Sequence, residues 1–311
     1  MKKEPSNSGS TISDSTVDEL YNRGTAYYKK GDWDKAITDY TSVIRIKPDH
    51  IDALSNRGNL YDNKGDYDQA IMDYTSALKI KPDHILALIN RGKIYDKKDD
   101  YDQAITDFTS ILRIMPDFIN IFSMRGDTYY RKGEYDKAIA DYTTYINCEK
   151  NNENFSKLCV MMRCGDAYCE KGDYDQAITI LTNVLNIYSD NVHALINRGK
   201  VYISKGVYDQ AINDFNSALE IKHFRFMWWY VLNCRGIAYS YMRDYDKAIT
   251  DFNEALMEKP DSKEILNNCA NVYNKMGDYD KAITDLEAAL KIDPGYAVAK
   301  EQLEMIKKLR K

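Results

Sequence analysis

The sequence predicts an all-α fold, a solenoid built from eight copies of one helix–turn–helix unit. Three observations support this prediction: a period of 34 residues, two helical stripes of apolar residues inside each period, and glycines and prolines at fixed places within it. Because one such unit cannot bury its own apolar face, consecutive units are expected to stack on each other. The period is marked by Ala36, Ala70, Ala104, Ala138, Ala177, Ala211, Ala248 and Ala282.

Each unit is expected to contain two amphipathic helices. With Ile51 as position 1 of the second unit, position 8 is Gly58 and position 11 is Tyr61, which share one face of a first helix. Positions 20, 24 and 27 share one face of a second helix in the same way. Between the helices, Gly65 can adopt a positive φ that ends the first helix, and Asp66 can cap the second.

These features divide the chain into a polar tail over residues 1–15, eight units, and a C-terminal capping helix over residues 297–311. A capping-box pattern from Thr16 to Glu19 predicts that the first helix starts there. The units are expected at about residues 17–50, 51–84, 85–118, 119–157, 158–191, 192–228, 229–262 and 263–296.

Charge and hydropathy exclude several classes of partner. The 311 residues include 43 basic and 48 acidic side chains, with a formal net charge of -5, so neither nucleic acid nor an anionic membrane is an expected partner. No apolar segment approaches the roughly 18 residues of a membrane-spanning helix, and no secretory signal is recognised after Met1. The six cysteines are therefore interpreted as buried thiols, and the protein is expected in the reducing cytoplasm.

No motif typical of catalysis or of cofactor binding is found in the sequence. Cys159, Cys164 and Cys169 are close in sequence, but five residues turn a helix by about 500°, so their side chains are expected to point in different directions. We therefore expect no enzyme activity, no metal site and no cofactor.

Charged residues recur at positions 7 and 23, for example Arg57 and Asp73. The fifth unit lacks both charges, having Cys164 and Ile180, whereas the eighth keeps Asp285 without an arginine. If the pair forms within a unit, only Asp285 is left unpaired. The pattern therefore predicts structural ion pairs inside each unit.

The motif Leu54-x3-Gly58-x2-Tyr61, the alanine at position 20 and the terminal proline resemble the tetratricopeptide repeat over about residues 17–296. This resemblance implies a right-handed superhelix in which the first helices line a concave groove. It also implies a non-catalytic scaffold or adaptor that binds an extended peptide or a partner protein, of unknown identity, in that groove.

By the same resemblance, positions 2, 5, 6, 9, 12 and 13 of each first helix face the groove. An amide carries both donors and acceptors, so a row of asparagines at position 6 is suited to an extended peptide backbone; alternatively, these asparagines are inherited with the repeat and merely solvated. Uniform spacing favours the first three units, and the expected exposure of these amides predicts little effect on folding. The candidate residues are Asn22, Asn56, Asn90, Asn197 and Asn268 at position 6, with Tyr21, Asn59 and Lys93 at other groove positions.

Two insertions interrupt the period. Residues 147–157 predict a bend or hinge between the fourth and fifth units. Residues 222–232 contain an aromatic cluster, in which Phe224 and Trp228 form an interaction patch if they are exposed and pack internally if they are not. An alternative function follows from this cluster: a structural module that self-assembles through the aromatic insertion or its terminal helices, as a homo-oligomer.

Overall fold

The computed structural model describes residues 14–150 and 154–310, and of residues 222–224 it describes the backbone only. Within these ranges the protein is all-helical, with seventeen α-helices and no β-strand. Residues 1–13, which hold most of the predicted polar tail, lie outside the described ranges. The chain forms two compact units, each of which contains several of the helix–turn–helix repeats predicted from the sequence. The division lies between Tyr145 and Ile146, close to the insertion over residues 147–157.

In each unit, consecutive antiparallel helix pairs stack as in a helical solenoid, and every helix contacts the one that follows it in its pair. The first unit contains α1 (Asp14–Lys30), α2 (Trp33–Ile46), α3 (Ile51–Asn63), α4 (Tyr67–Ile80), α5 (Ile85–Lys97), α6 (Tyr101–Ile114), α7 (Asn120–Arg131) and most of α8 (Tyr135–Cys148). The second contains the end of α8, then α9 (Phe155–Lys171), α10 (Tyr174–Ile187), α11 (Val192–Lys205), α12 (Tyr208–Glu220), a 3-10 helix (Lys222–Met227), α13 (Trp228–Tyr241), α14 (Tyr245–Glu258), α15 (Lys263–Met276), α16 (Tyr279–Ile292) and α17 (Ala297–Leu309).

The turns inside the repeats have the predicted chemistry. Gly65 has a φ of 79°, and the Asp66 side chain accepts a hydrogen bond from the Gln69 backbone N–H, which caps α4. Between repeats, Nδ1 of His50 accepts from the backbone N–H of Ala53 at 3.2 Å, so this histidine is a helix cap. Glycine, aspartate and histidine therefore mark the helix boundaries for separate physical reasons.

A glycine at position 8 of the first helix, present in seven of the eight repeats, allows the two helices of a repeat to touch. A Cβ added to Gly58 would lie 2.9 Å from Cε1 of Tyr74, a side chain that is fully buried. Ala104, at position 20 of the third repeat, is 0% exposed, as predicted for a residue at the helix contact. Small residues at these two positions set the distance between the helices, and aromatic rings fill the remaining space.

Where position 7 is arginine, its side chain joins the two helices of its own repeat and, from the second repeat on, also bonds to the repeat before it. Arg57 donates from Nε and Nη2 to the two carboxylate oxygens of Asp73, at 2.8 and 2.7 Å, so the predicted pairing within a repeat is confirmed. Its Nη1 also donates to Oγ1 of Thr41 in the preceding repeat, at 2.9 Å. Burial raises the pKa of the Asp73 carboxyl, and the Arg57 guanidinium opposes that rise. We call this arrangement the arginine clamp.

The same bidentate ion pair recurs in six of the eight repeats. It joins Arg23 to Asp39, Arg57 to Asp73, Arg91 to Asp107, Arg125 to Asp141, Arg198 to Asp214, and Arg235 to Asp251. The fifth repeat replaces both charges with Cys164 and Ile180. The eighth has Cys269 opposite Asp285, whose pKa is raised by burial to about 6.

Two predicted boundaries are corrected by the structure. Thr16 lies inside α1, which already includes Asp14, so the first helix does not start at Thr16 and residues 14 and 15 are not part of a tail. Helix α9 begins at Phe155, three residues before the expected start at 158, because Asn154 caps it by accepting from the backbone N–H of Ser156. At the other end, α17 packs against α16 and caps the last repeat.

An aspartate that is paired with arginine and one that is not are expected to respond oppositely to substitution by asparagine. Asp251→Asn leaves the part-buried Arg235 without its anion and should lower the free energy of unfolding by about 2 to 4 kcal/mol. Asp285→Asn should raise it by about 1 to 2 kcal/mol at pH 7, because it removes a carboxylate that is desolvated without a cation.

The pH dependence provides the control. The folded pKa of Asp285 is higher than that of an unfolded aspartate, so its protonation stabilises the fold; this contribution is complete below about pH 4 and is lost as the pH rises through about 6. The advantage of Asp285→Asn over the parent chain should therefore shrink between pH 7 and pH 4. Urea unfolding followed by circular dichroism measures both effects, and a destabilising Asp285→Asn would contradict the assignment.

Candidate functional site

The first helices of consecutive repeats form one continuous surface in each unit, which we call the first-helix face. In the first unit, α3 contacts α5; in the second, α9 contacts α11, α11 contacts α13, and α13 contacts α15. The candidate peptide-binding residues of the sequence all lie on these helices.

In the first unit, the asparagines at position 6 connect neighbouring repeats. Asn56 donates from Nδ2 to the Tyr21 hydroxyl at 3.1 Å, and Asn90 donates from Nδ2 to Oδ1 of Asn59 at 2.8 Å. The Tyr74 hydroxyl donates to the same Asn59 oxygen at 2.6 Å. We call these bonds the amide ladder. The bonds of Asn56 and Asn90 join one repeat to the next across the first-helix face, and the Tyr74 bond, within the second repeat, holds Asn59 in place.

The ladder corrects the expected exposure of these residues. Asn56 and Asn90 are half-buried, because each lies between two repeats and uses one N–H in the ladder; only Asn22, in the first repeat, is exposed. The Oδ1 atoms of Asn56 and Asn90 have no hydrogen-bond partner among the described residues. Each of these two amides therefore combines a structural bond with a free acceptor.

The second unit has two further rungs of this kind. Asn197 donates from Nδ2 to Oδ1 of Asp166 at 3.0 Å, and Asn268 donates to Oδ1 of Asn233 at 2.9 Å. Burial raises the pKa of Asp166 to about 6, against the opposing charge of Lys200. The partner of the asparagine thus differs from rung to rung, while the asparagine is unchanged.

The ladder stops where three positions change together. In the third repeat, position 24 is Phe108, which has no hydroxyl; position 9 is Lys93; and position 6 of the next repeat is Met124. Lys93 is exposed and has no ion-pair partner in the described part of the chain. The second unit repeats this change with Phe215, Lys200 and Cys234. Both places combine a lysine at position 9 with Met or Cys at position 6 of the next repeat, whereas the rungs of Asn197 and Asn268 form although position 24 of the preceding repeat has no hydroxyl.

A cleft of about 260 Å³ opens on the first-helix face of the second unit, between α13 and α15. Ile237 and the buried ring of Phe252 supply its apolar lining. Among the described residues, no hydrogen bond occupies Oδ1 of Asn268 or the amide of Asn271. The cleft is lined by Ile237, Ser240, Tyr241, Phe252, Asn268, Asn271 and Lys275.

One wall of the cleft is held by aromatic and cationic contacts. The Tyr241 ring stacks on Tyr208, with ring centroids 5.3 Å apart and planes 4° apart. Nζ of Lys275 donates to Oγ of Ser240 at 3.3 Å and lies 5.7 Å from the centre of the Tyr241 ring. The wall is therefore preorganised. Of the residues that line the cleft, only Asn268 was predicted as a site residue, although positions 9, 12 and 13 were expected to face the groove.

The aromatic insertion is partly exposed. The half-buried Trp228 ring lies 4.7 Å from the guanidinium carbon of Arg225, and its Nε1 is buried without a hydrogen-bond partner. Phe226 is 70% exposed. The side chain of Phe224, the other predicted member of the patch, lies outside the described residues.

The cysteines are less uniformly buried than expected. Cys148 is exposed and Cys159 and Cys169 are half-buried, because they lie at helix ends or repeat edges; the other three are buried. Burial raises the pKa of Cys234 to about 11, so this thiol is protonated at neutral pH. Within the described ranges, no cluster of histidine, cysteine, aspartate and glutamate is arranged to hold a metal, and no helix is long and apolar enough to cross a membrane.

Family models match most of the chain between residues 24 and 296. Two models described as tetratricopeptide repeat and one described as TPR repeat account for the matches. The first covers residues 51–84, 229–262 and 264–296, the second 85–118, 119–152 and 192–222, and the third 24–65 and 165–206. The chain belongs to the tetratricopeptide repeat family. Members of this family generally act as protein-interaction scaffolds, and the fold of this tetratricopeptide repeat protein is suited to that role.

Solved structures with the tetratricopeptide fold match the chain at low sequence identity. The crystal structure of the APC/C hetero-tetramer Cut9-Hcn1 matches with 20% identity and a TM-score of 0.56, over 96% of this chain and 57% of that one. A tetratricopeptide repeat protein from Parabacteroides merdae matches with 18% identity and a TM-score of 0.51, over 94% and 99%.

A third structure, residues 41 to the end of MamA from Desulfovibrio magneticus, matches with 18% identity and a TM-score of 0.51, over 58% of this chain and 98% of that one. At these identities the likeness concerns the fold alone. This tetratricopeptide repeat protein spans a little over half the length of the matched chain in the Cut9-Hcn1 structure. No curated protein matches it in sequence.

The amide ladder is expected to contribute measurably to the stability of the first unit. Asn90→Ala removes one hydrogen bond between repeats and should lower the free energy of unfolding by about 0.5 to 1.5 kcal/mol. Lys93→Ala is the control, because Lys93 is exposed on the same helix; its effect should stay within about 0.5 kcal/mol. Equal effects in urea unfolding would mean that the ladder bond is not stabilising.

Proposed function

We propose that this tetratricopeptide repeat protein is a non-catalytic scaffold or adaptor that holds an extended segment of a partner protein on its first-helix face. The observation that supports this most directly is the cleft between α13 and α15. It combines an apolar lining with amides and an ammonium group that have unused bonding capacity. Ligand-binding pockets in general combine an apolar lining with a few placed polar groups.

The contents of the cleft suggest how a segment would bind. An apolar side chain of the partner would contact Ile237 and Phe252, and burial of such a side chain contributes about 1.5 to 3 kcal/mol. The partner backbone would donate to Oδ1 of Asn268 and pair with the amide of Asn271. Lys275 favours a carboxylate on the partner at the edge of the cleft.

The first unit offers a second row of contacts. Asn22 is exposed, and Asn56 and Asn90 each present a free Oδ1. Tyr21 and Asn59 accept from these amides and so position them for a ligand. In this proposal the ladder has two roles, since the same side chains connect the repeats and present acceptors to a peptide backbone.

The remaining candidate residues fit the proposal in different ways. Asn197 presents its own Oδ1 beside Asp166, and Lys93 is a free cation where the ladder stops. The formal net charge of -5 favours a protein partner over nucleic acid or an anionic membrane. The free thiols of the six cysteines favour a reducing compartment, so we place the protein in the cytoplasm.

The test identifies a partner and then maps its contact. Partners captured by the full chain and identified by mass spectrometry supply a segment whose affinity is measured by fluorescence anisotropy. The double variant Asn271→Ala, Lys275→Ala should weaken binding about tenfold, because two polar contacts of about 0.5 to 1.5 kcal/mol are lost. The triple variant Asn22→Ala, Asn56→Ala, Asn90→Ala should weaken it similarly if the segment lies on the first unit.

Met257→Ser is the matched control, because Met257 is 84% exposed on the second helix α14 rather than on the first-helix face. It should leave the affinity unchanged. Binding that is insensitive to both multiple variants but lost in Met257→Ser would place the partner on the other side of the molecule. Thermal unfolding of each variant separates a lost contact from a lost fold.

Self-assembly is a second candidate, and the 70% exposure of Phe226 in the aromatic insertion favours it. In this proposal the chain forms homo-oligomers through an apolar patch that includes Phe226 and Trp228. Sedimentation velocity across a concentration series should then show a dimer that Phe226→Ser dissociates. A monomer at every concentration would exclude the proposal.

A further inference from the structure

The eighth repeat keeps the acid of the arginine clamp but has lost its arginine. Asp285, on α16, is position 23 of the eighth repeat, and Cys269, on α15, is position 7, where six other repeats have arginine. Cys269 is buried and cannot neutralise a carboxylate. Asp285 has no hydrogen bond and no ion pair among the described residues, and only burial acts on its pKa.

Exposure separates Asp285 from its six counterparts. The paired aspartates at position 23 are between 2% and 6% exposed, because a guanidinium covers each of them. Asp285 is half-buried instead. Part of the Asp285 side chain is therefore accessible to solvent, whereas an arginine covers each of the equivalent aspartates.

The fifth repeat shows which residues occupy positions 7 and 23 when the arginine is absent. There, position 7 is also a cysteine, Cys164, but position 23 is the apolar Ile180. A Cβ built on Gly165 would lie 3.2 Å from Ile180, so this repeat is closely packed without an ion pair at positions 7 and 23. A cysteine at position 7 therefore does not require an acid at position 23. Asp285 destabilises its own repeat unless a cation binds to it.

The seventh repeat shows which groups surround a bound guanidinium. Arg235 contacts the Asp251 carboxylate, Oδ1 of Asn216 in the preceding repeat at 2.7 Å, and the Tyr239 ring, whose centroid is 5.9 Å from the guanidinium carbon. The eighth repeat has the equivalent of each group. They are Asp285, the exposed Asn253 on α14 of the preceding repeat, and the half-buried Tyr273.

We propose that these three residues bind the guanidinium group of an arginine side chain supplied by a partner polypeptide. The carboxylate accepts two parallel N–H bonds, the Asn253 oxygen accepts a third, and the Tyr273 ring faces the guanidinium plane. Lysine lacks this planar fork and makes a poorer fit. Lys281, which lies over the Tyr273 ring, does not fill the site because it is paired with Asp278 at 2.8 Å.

This guanidinium site extends the proposed function without depending on it. Asp285 is not among the residues that line the cleft between α13 and α15. Loss of binding at one of the two places is therefore distinguishable from loss at the other.

Nuclear magnetic resonance of the full chain provides the test, with Nα-acetyl-arginine amide as the probe. The Asp285 carboxyl carbon and the Tyr273 ring should show a saturable shift at pH 7. Nα-acetyl-lysine amide should bind at least fivefold more weakly. The shift should disappear in Asp285→Asn and also in Cys269→Arg, whose own guanidinium fills the site.

Glu287→Gln is the control, since it removes an exposed charge from the same helix, where Glu287 pairs with Lys307. It should bind the arginine probe as the parent chain does. Equal binding of the lysine probe, or arginine binding that survives Asp285→Asn, would overturn the proposal. Asp285→Asn is expected to be more stable than the parent, so its loss of binding cannot be ascribed to unfolding.

A last measurement identifies the source of the arginine. If a partner polypeptide supplies the arginine, sedimentation of the parent chain should reveal no dimer whose formation is prevented by the arginine probe or by Cys269→Arg. Such a dimer would mean that a second copy of this chain supplies the guanidinium, and would overturn the assignment to a partner polypeptide.

Discussion

The arginine clamp is the interaction on which the stacking of this protein depends. One guanidinium bonds to a carboxylate in its own repeat and to a hydroxyl or amide in the preceding one, so the same side chain sets the geometry inside a repeat and between two repeats. The bond is directional and desolvated, which makes it sensitive to small displacements. Apolar contacts alone, being non-directional, would allow the helices to slide.

The clamp and the amide ladder lie on different parts of the repeat and have different consequences. The clamp recurs in six of the eight repeats, and its two charges pair with each other inside the protein. The ladder varies from rung to rung, and its asparagines keep bonding capacity after they have connected two repeats. Under the proposed function, ligand recognition can therefore change along the first-helix face while the stacking remains the same.

Much of the fold could be predicted from the sequence because its causes are local. The period identified the helix pairs, Gly65 and Asp66 identified a turn and its cap, and the pattern of Arg57 and Asp73 identified their ion pair. The helix starts at Thr16 and at residue 158 were misplaced. Capping competes with continued helix formation on both sides of a candidate residue, and a single residue pattern does not decide between them.

The candidate site was predicted less completely, because a site depends on what neighbouring repeats bring together. The groove positions were identified by resemblance, but the bonds that half-bury Asn56 and Asn90 were not. The cleft was also missed, since Ile237 and Phe252 look like ordinary core residues in sequence. A lysine at position 9 followed by Met124 or Cys234 at position 6 of the next repeat is the sequence signal that marks where the ladder stops.

The sequence by itself determined the all-helical fold, the repeat unit and its internal ion pair. These follow from residue types at fixed spacings, and a helix converts a spacing directly into a face. Only the tertiary structure decided which amides are shared between repeats, where the cleft opens, and that Asp285 is half-buried while its six counterparts are covered. The physical reason is that a hydrogen bond or a buried contact depends on two surfaces that meet. The repeat period specifies the residues of each surface but not which surface packs against it.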